Sequence, residues 1–76
     1  MKDLLSYLVE NITGTKSFEV SEGDEDGKTL MTITADPNII GLIIGKEGKT
    51  IKNLRRILSI RGSLEKKVVN ISIIER

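Results

Sequence analysis

Leu4, Leu5, Leu8, Val9 and Ile12 recur at the spacing of one helical face near the start of the chain. Thr13-Gly14-Thr15 ends that pattern, and Gly14 suits the left-handed residue that closes a helix. The period then shortens to two. In "SFEVS" Phe18 and Val20 share a face, and in "LMTITA" Met31, Ile33 and Ala35 do, which predicts two strands. The intervening "EGDEDGK" reads as an acidic, turn-rich hairpin loop. Asp36 and Pro37 are residue types of a helix cap and a first helical position, so a short helix is expected from Asn38 to about Ile44. After an interruption at Gly45–Gly48, a longer helix runs from near Lys49 to about Leu64. Its core face is Ile51, Leu54 and Leu58, and Gly62 is a weak point where it could end early. The closing "KVVNISIIE" alternates Val69, Ile71 and Ile73 against Asn70 and Ser72, a third strand. The order is α-β-β-α-α-β, with no linker, repeat or low-complexity segment. A three-stranded sheet carrying three helices on one face would bury most of these stripes, an α+β arrangement.

Seventy-six residues allow one domain, covering 1–76. A chain near that size buries only about 60% of its unfolded surface, so it builds one compact core. At 38% hydrophobic and 30% charged residues the composition is that of a folded globular protein, not a disordered one. The chain has no cysteine and no histidine, which removes disulfides, thiolate metal sites and the commonest general base. No metal or cofactor is expected. The most apolar segment, "IIGLIIG", is far shorter than the roughly 20 residues that span a bilayer. "MKDLLSYLVEN" carries Asp3 and Glu10 and no small-residue cleavage site, so it is not a secretory signal and a cytoplasmic location is expected.

The net charge of +1 conceals a division. Residues 1–38 hold three Lys/Arg against eight Asp/Glu, and residues 39–76 hold nine against three, so the halves carry −5 and +6. Such a split suits one face to a polyanion. The basic half contains "IIGKEGKTI", from Ile43 to Ile51. Glycine costs roughly 0.5–1 kcal/mol relative to alanine inside a helix, so two glycines three apart mark a place where the chain must turn. The turn Gly45-Lys46-Glu47-Gly48 can serve a phosphate in three ways. Glycine lets an anionic backbone approach, the next helix begins with unpaired N–H groups, and Lys46 and Lys49 add mobile positive charge. A plain helix–turn–helix corner would also contain such glycines.

Sharper phosphate motifs fail. "GKT" at Gly48-Lys49-Thr50 ends like a P-loop, but the glycine required five positions earlier is Ile43, and a dinucleotide fingerprint fails at the same residue. Glu22, Asp24, Asp26 and Gly27 fall at positions 1, 3, 5 and 6 of a calcium loop, yet position 12 is Ile33 and the flanks are strands. No paired carboxylates face each other in the basic half, so a binding module is expected and not an enzyme.

On a wheel of about 100° per residue, Lys49, Lys52 and Arg56 share a side of the long helix and Arg55 stands between them and the core edge. No acid interrupts that track between Lys49 and Glu65. Ile57, Ile60 and Leu64 form a second apolar patch away from the core face, either packed on the rest of the fold or open to a partner. Only Tyr7 and Phe18 are aromatic, and neither lies on a basic strand, so bases are not read by aromatic stacking on the sheet.

"IIGKEGKTI" fits the signature of K-homology (KH) domains: two aliphatic residues, G-x-x-G, two residues, an aliphatic. Over nearly the whole chain the sequence resembles the small single-domain bacterial KhpA family, which has the type II KH fold. The matching parts are "LLSYLVENI", "ADPNIIGLIIGKEGKTIKNLRRIL" and "VVNISII". The resemblance implies a mixed three-stranded sheet and single-stranded RNA as partner. It assigns backbone clamping to Gly45, Lys46, Glu47 and Gly48, close approach of the strand to Gly41, and basic support to Lys49, Lys52 and Arg55. Ile33, Ile40 and Ile44 would line an aliphatic groove for the bases. It further implies a role as RNA chaperone or post-transcriptional regulator, and a homodimer or a pairing with a larger KH-containing protein. Glu47 departs from a purely basic loop. The alternative reading is a protein-interaction module whose GxxG turn is structural and whose working surface is Ile57, Ile60 and Leu64.

Overall fold

The computed structural model describes residues 1–76. Its elements are α1 (Lys2–Thr13), β1 (Phe18–Glu25), β2 (Lys28–Ala35), α2 (Pro37–Ile44), α3 (Lys49–Leu64) and β3 (Val68–Glu75), with a 3-10 turn at Lys46–Gly48 between α2 and α3. β2 is central, antiparallel to β1 and parallel to β3. The connections require this. A two-residue turn joins only antiparallel neighbours, whereas β2 reaches β3 through two helices, the length a parallel crossover needs. The sheet is therefore mixed, and the fold is the expected α+β one.

One face of the sheet carries the helices. Val20 pairs with Ile33, Ile33 with Ile73, and Met31 with Ile71. Over this face lie Leu5 and Val9 of α1, Ile39 and Ile43 of α2, and Ile51, Leu54 and Leu58 of α3, which join Met31, Ile33, Ala35 and Ile71 in one buried cluster. Each such aliphatic side chain contributes about 1.5–3 kcal/mol when fully buried. Gly14 closes α1 in the left-handed conformation, φ 71°, its N–H donating to the Glu10 carbonyl at 2.8 Å.

Three local expectations change. The acidic segment is mostly strand, not loop: β1 runs to Glu25, β2 starts at Lys28, and only Asp26 and Gly27 lie between. Both have positive φ, 49° and 75°, the primed turn whose twist matches that of the flanking strands. Two of the carboxylates in the strand are met by donors. Glu22 Oε1 accepts the Lys2 N–H at 3.0 Å, and Asp24 Oδ1 accepts the hydroxyl of buried Thr29 at 2.6 Å.

Gly62 does not end α3. It is buried, and a Cβ there would lie 2.6 Å from Val69 Cγ2 and 2.8 Å from the Lys67 carbonyl oxygen, so glycine is what lets β3 return close under the helix. The helix stops two residues later, at Leu64, in a Schellman arrangement. Lys66 is left-handed at φ 58°, its N–H donates to the Ser63 carbonyl at 3.2 Å, and the Lys67 N–H donates to that of Gly62 at 2.7 Å.

Asp36 occupies the cap position of α2 but makes no side-chain cap bond. Its carboxylate instead accepts from Arg76 Nε at 3.3 Å.

The crossover sets the polarity of the molecule. Val68 pairs with Lys28, and its N–H donates to the Gly27 carbonyl, so α3 ends beside the hairpin turn. At about 1.5 Å per residue its sixteen residues separate that turn from the Gly45–Gly48 turn by about 24 Å. The acidic hairpin and the glycine turn stand at opposite ends of a body 33 Å long.

Candidate nucleic-acid interface

The turn between α2 and α3 is built from three residues of positive φ. The Gly45 N–H donates to the Gly41 carbonyl at 3.0 Å, completing α2, and Gly45 then takes φ 75°, ψ 177°, a region open essentially to glycine alone. Glu47 (φ 57°, ψ 23°) and Gly48 (φ 73°, ψ 15°) are both left-handed. The Gly48 N–H donates to the Gly45 carbonyl at 3.2 Å, and the Lys49 N–H to that of Lys46. Two of the donors expected to face a phosphate are thus used in closing the turn. Exposed glycine surface and lysine charge remain as its outward features.

The glycines of this region have different physical reasons. A Cβ on Gly45 would point inward and strike the Thr50 side chain, overlapping Oγ1 and lying 2.7 Å from Cβ. At Gly48 the nearest atom would be Ile51 Cγ2 at 4.0 Å, and at Gly41 nothing lies within 4 Å. Packing therefore requires Gly45, whereas the space beside Gly41 and Gly48 is open. Gly41 is an exposed glycine inside a helix, where it forgoes roughly 0.5–1 kcal/mol of stability, and no neighbour in the fold explains it. Thr50, which supports Gly45 from the second position of α3, escaped sequence reasoning. The only sign of it was its place in "GKT".

Lys46, Lys49, Lys52, Arg55 and Arg56 are all exposed. The cations of the five ion pairs are the N-terminal ammonium, Lys16, Arg61, Lys67 and Arg76. The basic track is therefore unneutralised from the glycine turn through Arg56, whereas Lys67 beside the hairpin lies 3.8 Å from Asp24. Glu47 is also exposed and in no ion pair.

The groove residues divide. Ile44 is 38% exposed and Ile40 is half-buried, packed against the core, one helical turn apart on the side of α2 that also presents Gly41. Ile33 is fully buried between sheet and helices, so it supports the surface from below and no base can touch it. The second apolar patch of α3 does not pack on the rest of the fold: Ile57, Ile60 and Leu64 are 41%, 59% and 77% exposed. No helix is long and apolar enough to cross a membrane.

A family model described as KhpA/KhpB, KH domain, matches residues 2–73. Among curated proteins, the RNA-binding protein KhpA of Thermotoga maritima is 38% identical over 60 residues, covering 78% of this chain and 80% of that one. The RNA-binding protein KhpA of Chlamydia trachomatis is 33% identical over 76 residues, 99% of this chain and 97% of the relative. That of Halalkalibacterium halodurans is 32% identical over 76 residues, 99% and 100% of the two chains. With the element order, the mixed sheet and the GxxG turn already in place, the chain belongs to the KhpA/KhpB KH-domain family.

Proposed function

We propose that this protein binds single-stranded RNA in the cytoplasm, holding the sugar–phosphate backbone against the Gly45–Gly48 turn. The bases lie along Gly41, Ile40 and Ile44. The observation that carries this reading is the run of five exposed, unpaired cations, Lys46 to Arg56, beginning at a turn whose outer glycine surface is open. A KH clamp of this kind holds about four nucleotides. Relatives named as RNA-binding proteins support the same reading. A role as RNA chaperone or post-transcriptional regulator accords with so short a site, which releases its strand readily.

The test is the double variant Lys46→Asp with Glu47→Asp, measured for RNA affinity and for unfolding. Both positions are exposed, so stability changes by no more than about 0.5 kcal/mol while RNA binding is lost. In wild type, two to four phosphate contacts give a log–log salt slope of about −1.5 to −3. Unchanged affinity in the folded double variant refutes the clamp.

The exposed Ile57, Ile60 and Leu64 favour a second reading that is compatible with the first: a partner surface for another copy or for a larger KH-containing protein. Joining two short sites raises the effective concentration of the second on one RNA. Sedimentation of Ile60→Asp tests this. Association of the wild type at high micromolar concentration, lost in the variant, supports it, and a monomeric wild type removes the homodimer.

A further inference from the structure

The clamp contains one residue that works against it. Glu47 sits at the apex of the turn, exposed and left-handed at φ 57°, ψ 23°, where glycine or asparagine is at less strain. Its carboxylate takes part in no hydrogen bond or ion pair within the chain, although Lys46 and Lys49 are its near neighbours. The positive end of α3 and the two lysines favour an anion beside the turn, but no partner in the chain holds this carboxylate, and its charge opposes a phosphate. It is free to meet a donor on a ligand.

An ionised carboxylate only accepts hydrogen bonds. Along a sugar–phosphate backbone the phosphate oxygens are themselves acceptors, and the one donor is the ribose 2′-hydroxyl. DNA lacks it. We propose that Glu47 is the specificity residue of the clamp, accepting a hydrogen bond from a 2′-hydroxyl and so selecting RNA over single-stranded DNA. The assignment rests on the clamp reading above. Lys46 draws either backbone to the turn, and Glu47 repels the phosphates of both but repays only RNA. A hydrogen bond from a hydroxyl to a carboxylate is roughly twice as strong as one between neutral groups.

The test compares three oligomers of one sequence, all-ribo, all-deoxy and 2′-O-methyl, against wild type, Glu47→Gln and Glu47→Gly. Wild type binds the ribo form about tenfold or more tightly than the deoxy form, the size of one hydrogen bond to a charged group. It treats the 2′-O-methyl form like DNA, since the donor is blocked. Glu47→Gly, which also relieves the left-handed backbone and does not lower the melting temperature, gains affinity for DNA, and its RNA-to-DNA ratio falls to about twofold or less as that bond is lost. Glu47→Gln gains affinity for both polymers and keeps part of the preference, because its amide oxygen still accepts. A ratio that is the same in wild type and Glu47→Gly, or a wild type that does not distinguish the 2′-O-methyl form from the ribo form, overturns the assignment. Lys46→Asp separates the two claims. If it abolishes binding while the ratio ignores Glu47, only the ribose readout fails; if it leaves affinity intact, the clamp itself fails.

Discussion

Two glycine turns stand at opposite ends of this molecule, and they are alike in backbone but not in surroundings. Asp26-Gly27 closes the hairpin with two positive φ values, and Gly45–Gly48 joins two helices with three. At the hairpin a Cβ on Gly27 would meet nothing within 4 Å, and acids and bases stand together, Lys28 opposite Glu25 and Asp24 held by Thr29 and near Lys67. At the helix turn a Cβ on Gly45 would strike Thr50, one on Gly48 would be nearly free, and the neighbouring lysines and arginines have no partners. Positive φ alone marks a reversal of the chain. What distinguishes a candidate binding turn is open space beside glycine together with charge that the fold leaves unused.

Glycine-to-alanine exchanges break that comparison most sharply at Gly45. Strain in a glycine-only region and the overlap with Thr50 each cost about 1–3 kcal/mol, so Gly45→Ala destabilises by about 2–6 kcal/mol in denaturant unfolding. RNA binding is lost with the fold, which makes this variant a poor probe of the clamp. Replacing Thr50 by Gly in the same chain, which removes both Oγ1 and Cβ, recovers part of the stability if the overlap is the cause.

Gly48→Ala and Gly27→Ala form a matched pair. Each places a Cβ at a left-handed residue with room around it, at a cost of about 1–2 kcal/mol. Equal losses of stability are expected, with RNA affinity reduced for Gly48→Ala and unchanged for Gly27→Ala. Equal RNA affinities in the two would make the helix turn as purely structural as the hairpin.

The smallest effect is the most discriminating. Gly41→Ala adds a methyl to an exposed helix position with nothing within 4 Å, so it stabilises the protein by about 0.5–1 kcal/mol. The same methyl stands where the nucleotide backbone is proposed to approach, and RNA affinity falls. A variant that is more stable and binds RNA as well as before would show that the strand runs elsewhere.

Much of this was legible in the sequence, for a definite reason. Periods of 3.6 and 2 report which side of an element meets the core, and Leu5 and Val9, Ile51, Leu54 and Leu58, and Met31 and Ile33 all lie where that rule puts them. The acidic hairpin was less legible. Asp and Glu disfavour strands in general, but a two-residue Asp-Gly turn extends the ladder to its last pair, Glu25 with Lys28, and tertiary donors accommodate Glu22 and Asp24. Gly62 misled for a related reason, since helix propensity counts the missing side chain as a weakness and says nothing of Val69 beneath it.

By itself, then, the chain determined its element order, its apolar faces, the division of its charge and the place of its turn, because each is a property of residues near one another in sequence. Only the tertiary structure decided the roles that depend on distant neighbours. It placed Ile33 under the surface instead of in the groove, and it put the carboxylates of the hairpin about 24 Å from the glycine turn along α3. It paired Arg61, Lys67 and Arg76 while leaving Lys46 through Arg56 free. It also gave Gly45 a packing reason and Gly41 none. Burial, pairing and free space are set by what the rest of the chain brings alongside a residue, and no local pattern encodes that.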